Sequence, residues 1–172
     1  MSYCLHLFSP FTYDEFLSAK KYIPGFRPGL LNAAKKLQPG DILVCYLTKV
    51  SRWVAALQVT GELYEDHSPR FATAKDPFVL RVRAMPLVLL DPRHGIPVKE
   101  NIIWNNLSFT AGQSKEGSRW TGPFRSSLRL LNEEDGAFLL SSLQAQAQDL
   151  VEYPLNEKVY QKYAYYDQKN ND

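Results

Sequence analysis

The sequence predicts an α+β domain built on a strongly bent antiparallel or mixed β-barrel, with short helices packed outside and a C-terminal helix. Short runs rich in β-branched and aromatic residues, such as Ile42–Leu47, predict buried strands. The preceding Pro39-Gly40-Asp41 predicts a tight turn that starts a long hairpin. Of the 172 residues, 45% are hydrophobic, which suffices for one core. We expect a single domain over residues 1–150 and a tyrosine-rich polar tail over residues 151–172.

The N-terminal segment predicts a buried strand followed by a short helix. Tyr3–Phe8 is an apolar and aromatic run that ends at Ser9-Pro10. Thr12 and Glu15 have the spacing of a capping box, in which each side chain bonds a free backbone N–H of the other residue. This pattern predicts a helix that begins near Thr12 and runs to about Lys21.

The central segment predicts a second short helix and then the hairpin. Apolar residues recur at helical spacing over residues 30–37. Ile42–Leu47 and Trp53–Tyr64 are extended apolar runs, and the polar segment Thr48–Arg52 joins them. We therefore expect these two runs to pair as antiparallel strands.

The third quarter of the chain predicts further strands. Phe78–Ala84 alternates between apolar and polar residues, which would place Arg81 and Arg83 on the wet face. Leu87–Leu90 is expected to continue as a buried strand, and Leu107–Phe109 is a short strand candidate.

The C-terminal part predicts one long helix and an irregular tail. Asn132 is expected to cap a helix that runs to about Leu150. Its predicted apolar face comprises Phe138, Leu139, Leu143 and Leu150. Tyr153–Asp172 has no periodic pattern, so it either docks on the domain or stays loose.

Composition and termini indicate a globular protein of the cytoplasm. No apolar run approaches the roughly 18–20 residues that cross a bilayer, so we expect no membrane contact. Met1–Phe8 has neither a basic leader nor a small-residue cleavage site, which argues against secretion. Cys4 and Cys45 lie in apolar, strand-like surroundings and are expected to be buried thiols in a reducing compartment.

The sequence shows no convincing catalytic, cofactor or metal motif. Gly112–Gly117 misses the spacing of a nucleophile elbow by one residue, and Ser18–Lys21 holds a Ser-x-x-Lys whose companion motifs are missing. His6, His67 and His94 lack the spacing of a zinc site. We therefore expect a protein without catalytic activity, cofactor or metal.

Charge is unevenly distributed although the formal net charge is only +2. Seven basic residues stand against three acidic ones up to Arg52, and a second basic cluster surrounds residues 115–129. If the two regions meet in space, they form a surface that faces a polyanion. If they do not, they are ordinary solvated faces.

Several aromatic residues lie in or beside connections rather than in strands. These are Phe26, Trp53, Phe71 and Trp120, and three of them adjoin Arg27, Arg52 and Arg119. An aromatic ring can stack on an unpaired base while a neighbouring guanidinium holds a phosphate. The alternative is that these rings close the ends of a small barrel.

The order and spacing of several segments resemble the EVE domain, a member of the PUA-like superfamily related to the YTH readers of methylated RNA. The segments that carry the resemblance are Tyr3–Leu7, Gly25-Phe26, Leu37–Tyr46, Val54–Val59, Tyr64–Asp66, Phe78–Val82, Leu107–Phe109, Arg119-Trp120 and Asn132–Asp135. Together they span roughly residues 3–145.

This resemblance implies a non-catalytic pocket that takes a single modified base flipped out of a nucleic acid. In the YTH relatives one aromatic wall follows the first helix, at the position of Phe26, and a second comes from the loop where Phe71 lies. The YTH pattern would have a tryptophan at Phe26 and an asparagine near Ser9. These departures leave methylated cytosine and methylated adenine both open, in DNA or RNA.

We therefore predict a modified-base reader. The predicted base pocket comprises Phe8, Ser9, Phe26, Arg27, Trp53, Phe71 and Trp120, and the predicted phosphate or rim contacts are Arg52, Arg119 and Arg125. The expected partners are a nucleic acid carrying the modified base and an effector protein of the same pathway. One alternative is a small hydrolase of the related ASCH type, with a lysine, a carboxylate and a hydroxyl converging in the pocket. Another is the specificity or interaction module of a larger defence or restriction assembly, with the tail ordered against a partner.

Overall fold

The computed structural model describes residues 1–71 and 76–171 of the chain, with side chains described up to residue 165. The strands are β1 (Tyr3–Phe8), β2 (Gly25–Phe26), β3 (Ile42–Leu47), β4 (Arg52–Val59), β5 (Tyr64–Glu65), β6 (Leu80–Arg81), β7 (Ala84–Leu89), β8 (Ile96–Pro97) and β9 (Arg129–Leu131). The α-helices are α1 (Pro10–Ser18), α2 (Leu31–Ala34), α3 (Asn101–Asn106), α4 (Glu133–Asp149) and α5 (Glu157–Asn171). Two 3-10 segments cover Pro28–Leu30 and Arg119–Arg125.

The strands form one mixed sheet and one small antiparallel sheet. In the larger sheet the order is β7-β4-β3-β1-β9, and β8 pairs with β4 beside β7. Within it β1 and β3 are parallel, with Tyr3 opposite Ile42 and Phe8 opposite Leu47. The smaller sheet has the order β2-β6-β5. The predicted α+β class with a mixed sheet and a C-terminal helix is confirmed.

The larger sheet bends but remains open. Its register shifts between Cys45 and Tyr46 and again between Ala56 and Leu57, and such irregularities increase local bend and twist. Among the described residues, β7 and β9 remain the two ends of the sheet. The expected barrel is therefore a bent sheet that does not close.

Alternation along the strands creates two apolar clusters on opposite faces of this sheet. On β3, for example, Leu43 and Cys45 join the first cluster, whereas Val44 and Tyr46 join the second. The first cluster packs beneath α1 and the small sheet, and includes Phe8, Phe26 and Phe71 as well as both cysteines. The second cluster packs against α3, α4 and the second 3-10 segment. Both cysteines are buried and free, as predicted.

The turn before the hairpin is confirmed, whereas the first helix begins earlier than predicted. Gly40 has a φ of +98°, a conformation that suits glycine because it lacks a Cβ. The N-cap of α1 is Ser9, and Thr12 is its partner in the capping box rather than the cap itself. The Thr12–Glu15 capping box is therefore wrong, and α1 ends at Ser18 instead of Lys21.

Two further strand predictions are wrong in part or altogether. Of residues 78–83, which precede β7, only Leu80–Arg81 forms a strand. Arg81 is 2% exposed, and its guanidinium bonds the carboxylate of Asp66, the carbonyl of Ser68 and the buried carboxylate of Asp76. Leu107–Phe109 lies in the connection after α3, where Leu107 packs into the second cluster.

The closing helix begins as predicted. Asn132 Oδ1 accepts a hydrogen bond of 2.6 Å from the Asp135 N–H, which caps α4. Leu150 terminates the helix in the left-handed conformation, at a φ of 51°. Leu150 is also 52% exposed, so it is not part of the buried face of α4.

The C-terminal segment contains a helix that packs on the domain. α5 lies against α1, and the Tyr160 hydroxyl donates a hydrogen bond of 2.6 Å to Asp14 Oδ1. Tyr160 is 4% exposed and belongs to the first apolar cluster. No helix in residues 1–71 or 76–171 is both long and apolar enough to cross a bilayer.

Candidate functional site

A small cleft opens between β1, the start of α1, β2 and the segment around Phe71 and Phe78. It is lined by His6, Leu7, Phe8, Thr12, Gly25, Phe71 and Phe78. Inside, there is room for about one water molecule. Three of its seven lining residues are phenylalanines and one is a histidine, so the cleft is predominantly aromatic.

The inner wall of the cleft is built by the alternation of β1. His6 and Phe8 lie on the same face of the strand, and their ring centroids are 4.5 Å apart in an edge-to-face arrangement. Phe26 approaches the same imidazole edge-on at 5.2 Å. Since Phe8 and Phe26 are 2% and 1% exposed, the two rings hold His6 in a fixed position.

The outer wall of the cleft comprises Phe71 and Phe78. Their ring centroids are 5.4 Å apart and the rings are nearly perpendicular. Both pack directly on Gly25, where an added Cβ would lie 2.9 Å from the nearest atom of each ring residue. A glycine at this position therefore lets the outer wall come close to β2.

Asp76 holds both residues of the outer wall in place. Its carboxylate accepts hydrogen bonds from the N–H groups of Phe71, at 2.7 Å, and Phe78, at 2.9 Å. The Asp76 side chain is fully buried and lies 3.4 Å from the guanidinium of Arg81. The same guanidinium bonds Asp66 at 2.8 Å. This buried ion pair fixes the two ends of the segment that carries the wall.

Two arginines stack on the rings of the outer wall. Arg27 lies over Phe78 at 5.0 Å and Arg70 lies over Phe71 at 5.4 Å, both measured to the ring centroid. Arg27 is exposed, which leaves its guanidinium open to a phosphate. Arg70 donates to the backbone carbonyl of Ile23 at 3.1 Å and also to that of Lys21. Positive charge therefore borders the aromatic cleft.

Among the described residues, His6 finds no hydrogen-bond partner although it is 2% exposed. Both ring nitrogens, Nδ1 and Nε2, are buried and unpaired. Burial lowers the pKa of His6 to about 3, because a charged imidazole would lose its hydration. At neutral pH the ring is therefore uncharged, with one nitrogen as donor and the other as acceptor.

Ser9 and Thr12 bind mainly each other. The Ser9 Oγ accepts from the Thr12 N–H at 3.2 Å, and the Thr12 Oγ1 accepts from the Ser9 N–H at 2.9 Å. Thr12 lines the cleft, whereas Ser9 does not. Ser9 thus positions the helix at the edge of the cleft, and its role in reading a base stays a prediction.

Trp53 and Trp120 lie in the second apolar cluster, on the face of the sheet that is opposite to Phe26 and Phe71. Trp53 is fully buried and packs edge-on against Tyr46 at 5.1 Å. The interpretation that these tryptophans share a pocket with Phe26 is wrong. Strand alternation explains it, because Trp53 and Val54 must face opposite ways on β4.

Arg52 is buried rather than exposed on a rim. Its guanidinium donates to the backbone carbonyls of Pro92, at 3.1 Å, and Tyr153, at 3.2 Å, and also to that of Pro154. Arg52 therefore holds the C-terminal segment and is not placed to contact phosphate. Arg119 and Arg125 are exposed at the ends of the second 3-10 segment, and their phosphate contacts stay a prediction.

Sequence reasoning placed Phe8, Phe26, Arg27 and Phe71 at this site, and the structure brings them together around the cleft. The lining residues that were not predicted are His6, Leu7, Thr12, Gly25 and Phe78. The alternation of β1 carried a signal for His6, since a polar residue stands on the apolar face between Cys4 and Phe8.

The described cleft residues do not form a catalytic or metal-binding set. The lining offers a hydroxyl and an imidazole, but neither the lysine nor the carboxylate that the hydrolase alternative needs. Nor do residues 1–71 and 76–171 contain a group of three or more His, Cys, Asp or Glu side chains placed to hold a metal ion. The chemistry that remains is stacking and hydrogen bonding.

No protein-family model matches the chain, and no curated protein matches it in sequence. Many solved structures resemble it in fold, and three of them are described here. The Mmi1 YTH domain in complex with RNA has a TM-score of 0.60 and 11% sequence identity, covering 90% of this chain and 84% of that one. The Zygosaccharomyces rouxii MRB1 YTH domain with N6-methyladenosine RNA has a TM-score of 0.55 and 10% identity, with 91% and 87% covered. Human THYN1 with 5-methylcytosine DNA has a TM-score of 0.55 and 16% identity, with 84% and 98% covered.

These comparisons show which fold the chain has. The chain has the α+β architecture that YTH domains and THYN1 share, over nine-tenths of its length in the first comparison. At 10–16% sequence identity, the three comparisons show a shared fold.

Proposed function

We propose that this protein is a non-catalytic reader of a modified base, methylated cytosine or methylated adenine, in DNA or RNA. The observation that carries the proposal is the aromatic cleft, with Phe8 and Phe26 around His6 on one side and Phe71 and Phe78 on the other. Solved structures with this fold hold RNA, N6-methyladenosine RNA and 5-methylcytosine DNA. A ligand of the same chemical class fits an aromatic cleft bordered by arginines.

A base enters such a cleft only after leaving its own stack, which costs a few kcal/mol. Stacking on aromatic side chains returns about 1–3 kcal/mol for each base, and edge hydrogen bonds add to it. The cleft has room for about one water, so the rings of Phe71 and Phe78 must move apart to admit a base. Side-chain rearrangements of this kind are common on binding.

The nucleic-acid backbone would lie across the basic side of the cleft. Arg27 is exposed beside Phe78, and Lys20 and Lys21 are exposed after α1. These cations supply a sequence-independent attraction for phosphates, whereas the cleft supplies the selectivity. An effector protein that acts after recognition stays a prediction.

The proposal is tested by fluorescence anisotropy with labelled oligonucleotides that differ only in one methyl group. The set pairs 5-methylcytosine with cytosine and N6-methyladenine with adenine, each in single-stranded and duplex DNA and in RNA. We expect one modified oligonucleotide to bind at least about tenfold more tightly than its unmodified partner, about 1.4 kcal/mol.

A matched pair of variants shows whether the cleft is responsible. Phe71→Leu removes a ring from the cleft, whereas Phe109→Leu removes a ring that packs against the second cluster. We expect the first variant to lose the preference and the second to keep it. Equal binding of modified and unmodified oligonucleotides, or a full preference in Phe71→Leu, would contradict the proposal.

A further inference from the structure

His6 is a buried polar group whose hydrogen-bonding capacity is unused. Its exposure is 2%, and neither ring nitrogen has a partner in the part of the chain that the structure describes. Folded proteins seldom leave buried polar atoms unpaired, because each one costs free energy, and those that remain call for an explanation. A phenylalanine would fill the same space among Phe8 and Phe26 without that cost.

The location of His6 gives that explanation. His6 belongs to the lining of the cleft, and its imidazole has the Phe8 ring at 4.5 Å and the Phe26 ring at 5.2 Å. Among the described lining residues, Thr12 is the one other residue whose side chain carries a polar atom. Its hydroxyl already accepts a hydrogen bond from the Ser9 N–H. His6 is therefore the lining side chain that is free to bond the edge of a molecule in the cleft.

The charges around the cleft restrict what that molecule can be. The guanidinium groups of Arg27 and Arg70 stand against the two rings of the outer wall, at 5.0 and 5.4 Å. The carboxylate of Asp76 is nearby, but it is occupied by backbone N–H groups and by Arg81. A ligand that is cationic at neutral pH would meet like charges here, and the described residues that line the cleft offer no free counter-charge.

We propose that His6 hydrogen-bonds the edge of the bound base and that the cleft thereby selects methylated bases that are uncharged at neutral pH. This inference rests on the proposed function and specifies its ligand. A neutral imidazole donates to a ring nitrogen or carbonyl of the base, or accepts from its exocyclic amino group. Bases methylated on carbon or on the exocyclic nitrogen keep these groups and stay neutral. Cytosine methylated at N3 and adenine methylated at N1 lose an acceptor of the pairing edge and are cations at pH 7.

Isomeric probes separate charge from size. Oligonucleotides carrying 5-methylcytosine and 3-methylcytosine differ in the position of the same methyl group, as do those with N6-methyladenine and 1-methyladenine. The first member of each pair is neutral at pH 7 and the second is cationic. We expect the full-length protein to bind the neutral isomer of its preferred base at least about tenfold more tightly. Equal or tighter binding of the cationic isomer would overturn the selectivity.

Variants of His6 test the hydrogen bond. His6→Phe keeps a ring but no polar atom, and we expect it to bind the preferred base about three- to tenfold more weakly. His6→Gln restores a donor and an acceptor and should recover part of the loss. His67→Phe is the matched control, because the His67 side chain is 73% exposed and outside the cleft lining. Circular dichroism verifies that each variant folds.

Nuclear magnetic resonance of imidazole nitrogens gives a readout that needs no variant. In ¹⁵N-histidine-labelled protein, titration with the preferred oligonucleotide should shift the signals of His6 while it remains a neutral tautomer. Unmoved His6 signals together with full binding by His6→Phe would overturn this inference and leave the proposed function standing. The absence of any preference for a modified base would instead overturn the proposed function.

Discussion

At the scale of single residues, His6 combines two properties that rarely occur together. It lies deep in an apolar cluster of aromatic rings, yet it keeps two polar atoms without partners. Burial lowers its pKa to about 3, so it enters the folded state as a neutral ring. The unfolded chain, in contrast, gives this histidine an ordinary pKa near 6.5.

This difference predicts how stability depends on pH. Between the folded pKa of about 3 and the unfolded value of 6.5, the unfolded chain binds a proton at His6 and the folded chain does not. Protonation of His6 in the unfolded chain therefore lowers the free energy of unfolding progressively as the pH falls below about 6.5, by at most about 1.4 kcal/mol for each pH unit. Urea unfolding between about pH 6.5 and about pH 5 measures it.

The comparison with His6→Phe isolates this contribution, because all other titrating groups are common to both proteins. We expect the wild type to lose more stability than His6→Phe over this range, while His67→Phe follows the wild type. Parallel pH profiles for wild type and His6→Phe would show that the imidazole is hydrated or charged in the folded protein.

Gly25 is a second residue on which the cleft depends. A Cβ at this position would lie 2.9 Å from Cε2 of Phe71, 2.9 Å from Cβ of Phe78 and 3.1 Å from the Phe78 carbonyl oxygen. Gly25→Ala should therefore lower the free energy of unfolding by about 1–3 kcal/mol, as overpacking does. Gly29→Ala is the matched control, since nothing lies within 4 Å of its Cβ. Equal stability of both variants in urea would contradict this account.

At the scale of elements, the segment between β5 and β6 is organised by Asp76. Its carboxylate accepts from the N–H groups of Arg70, Phe71 and Phe78, at 2.7–2.9 Å, and faces the Arg81 guanidinium. One side chain thus satisfies three backbone donors and balances a buried cation. Because Phe71 and Phe78 are among those donors, the same carboxylate sets the position of the outer wall.

Asp76→Asn tests this role. Arg81, whose side chain is 3% exposed, would lose its buried partner, and breaking such a pair costs about 3 kcal/mol or more. Asp66→Asn is the control, since it removes the other carboxylate on Arg81 at a side chain that is 38% exposed, and should cost much less. Urea unfolding provides the measurement, and an equal loss in both variants would refute the distinction.

These elements also show which features of the fold local sequence can predict. The hairpin of β3 and β4 depends on a turn whose glycine at position 40 needs a positive φ, and that requirement is visible in three consecutive residues. The burial of Arg81 depends on Asp66 and Asp76, which are 15 and 5 residues away, and alternation alone placed it in solvent. The sequence therefore predicts a turn that depends on consecutive residues, but it does not predict ion pairs that form only when the chain folds.

The same limit explains the mixed outcome at the site. Phe26 and Phe71 belong to the same apolar cluster because β2 pairs with β6, and the segment that carries Phe71 precedes β6. Trp53 follows Arg52 on β4, and whether it faces the first or the second cluster depends on the register of that strand. A shift of one residue exchanges the two faces of a strand. The positions of aromatic residues in the sequence therefore cannot predict which of them line the same cavity as long as the strand register is unknown.

At the scale of the whole molecule, the C-terminal segment acts as a strap across the domain. Arg52 binds the carbonyls of Tyr153 and Pro154 at one point, and Tyr160 inserts into the first cluster beside α1 at another. The segment is tyrosine-rich and polar, so its sequence shows no helical stripe. Its order comes from these contacts with the domain rather than from an apolar face of its own.

Tyr160→Ala should release this strap. The substitution removes a ring that is 4% exposed, and truncation of a large buried aromatic costs about 3–5 kcal/mol. We expect protease to cleave the segment after residue 150 faster than in the wild type, at sites that the packed helix protects.

Tyr160→Phe removes only the hydroxyl that bonds Asp14 and should cost about 1 kcal/mol. Lys158→Ala, at an exposed position of α5, should behave like the wild type. Wild-type cleavage rates in Tyr160→Ala would mean that Arg52 alone holds the segment on the domain.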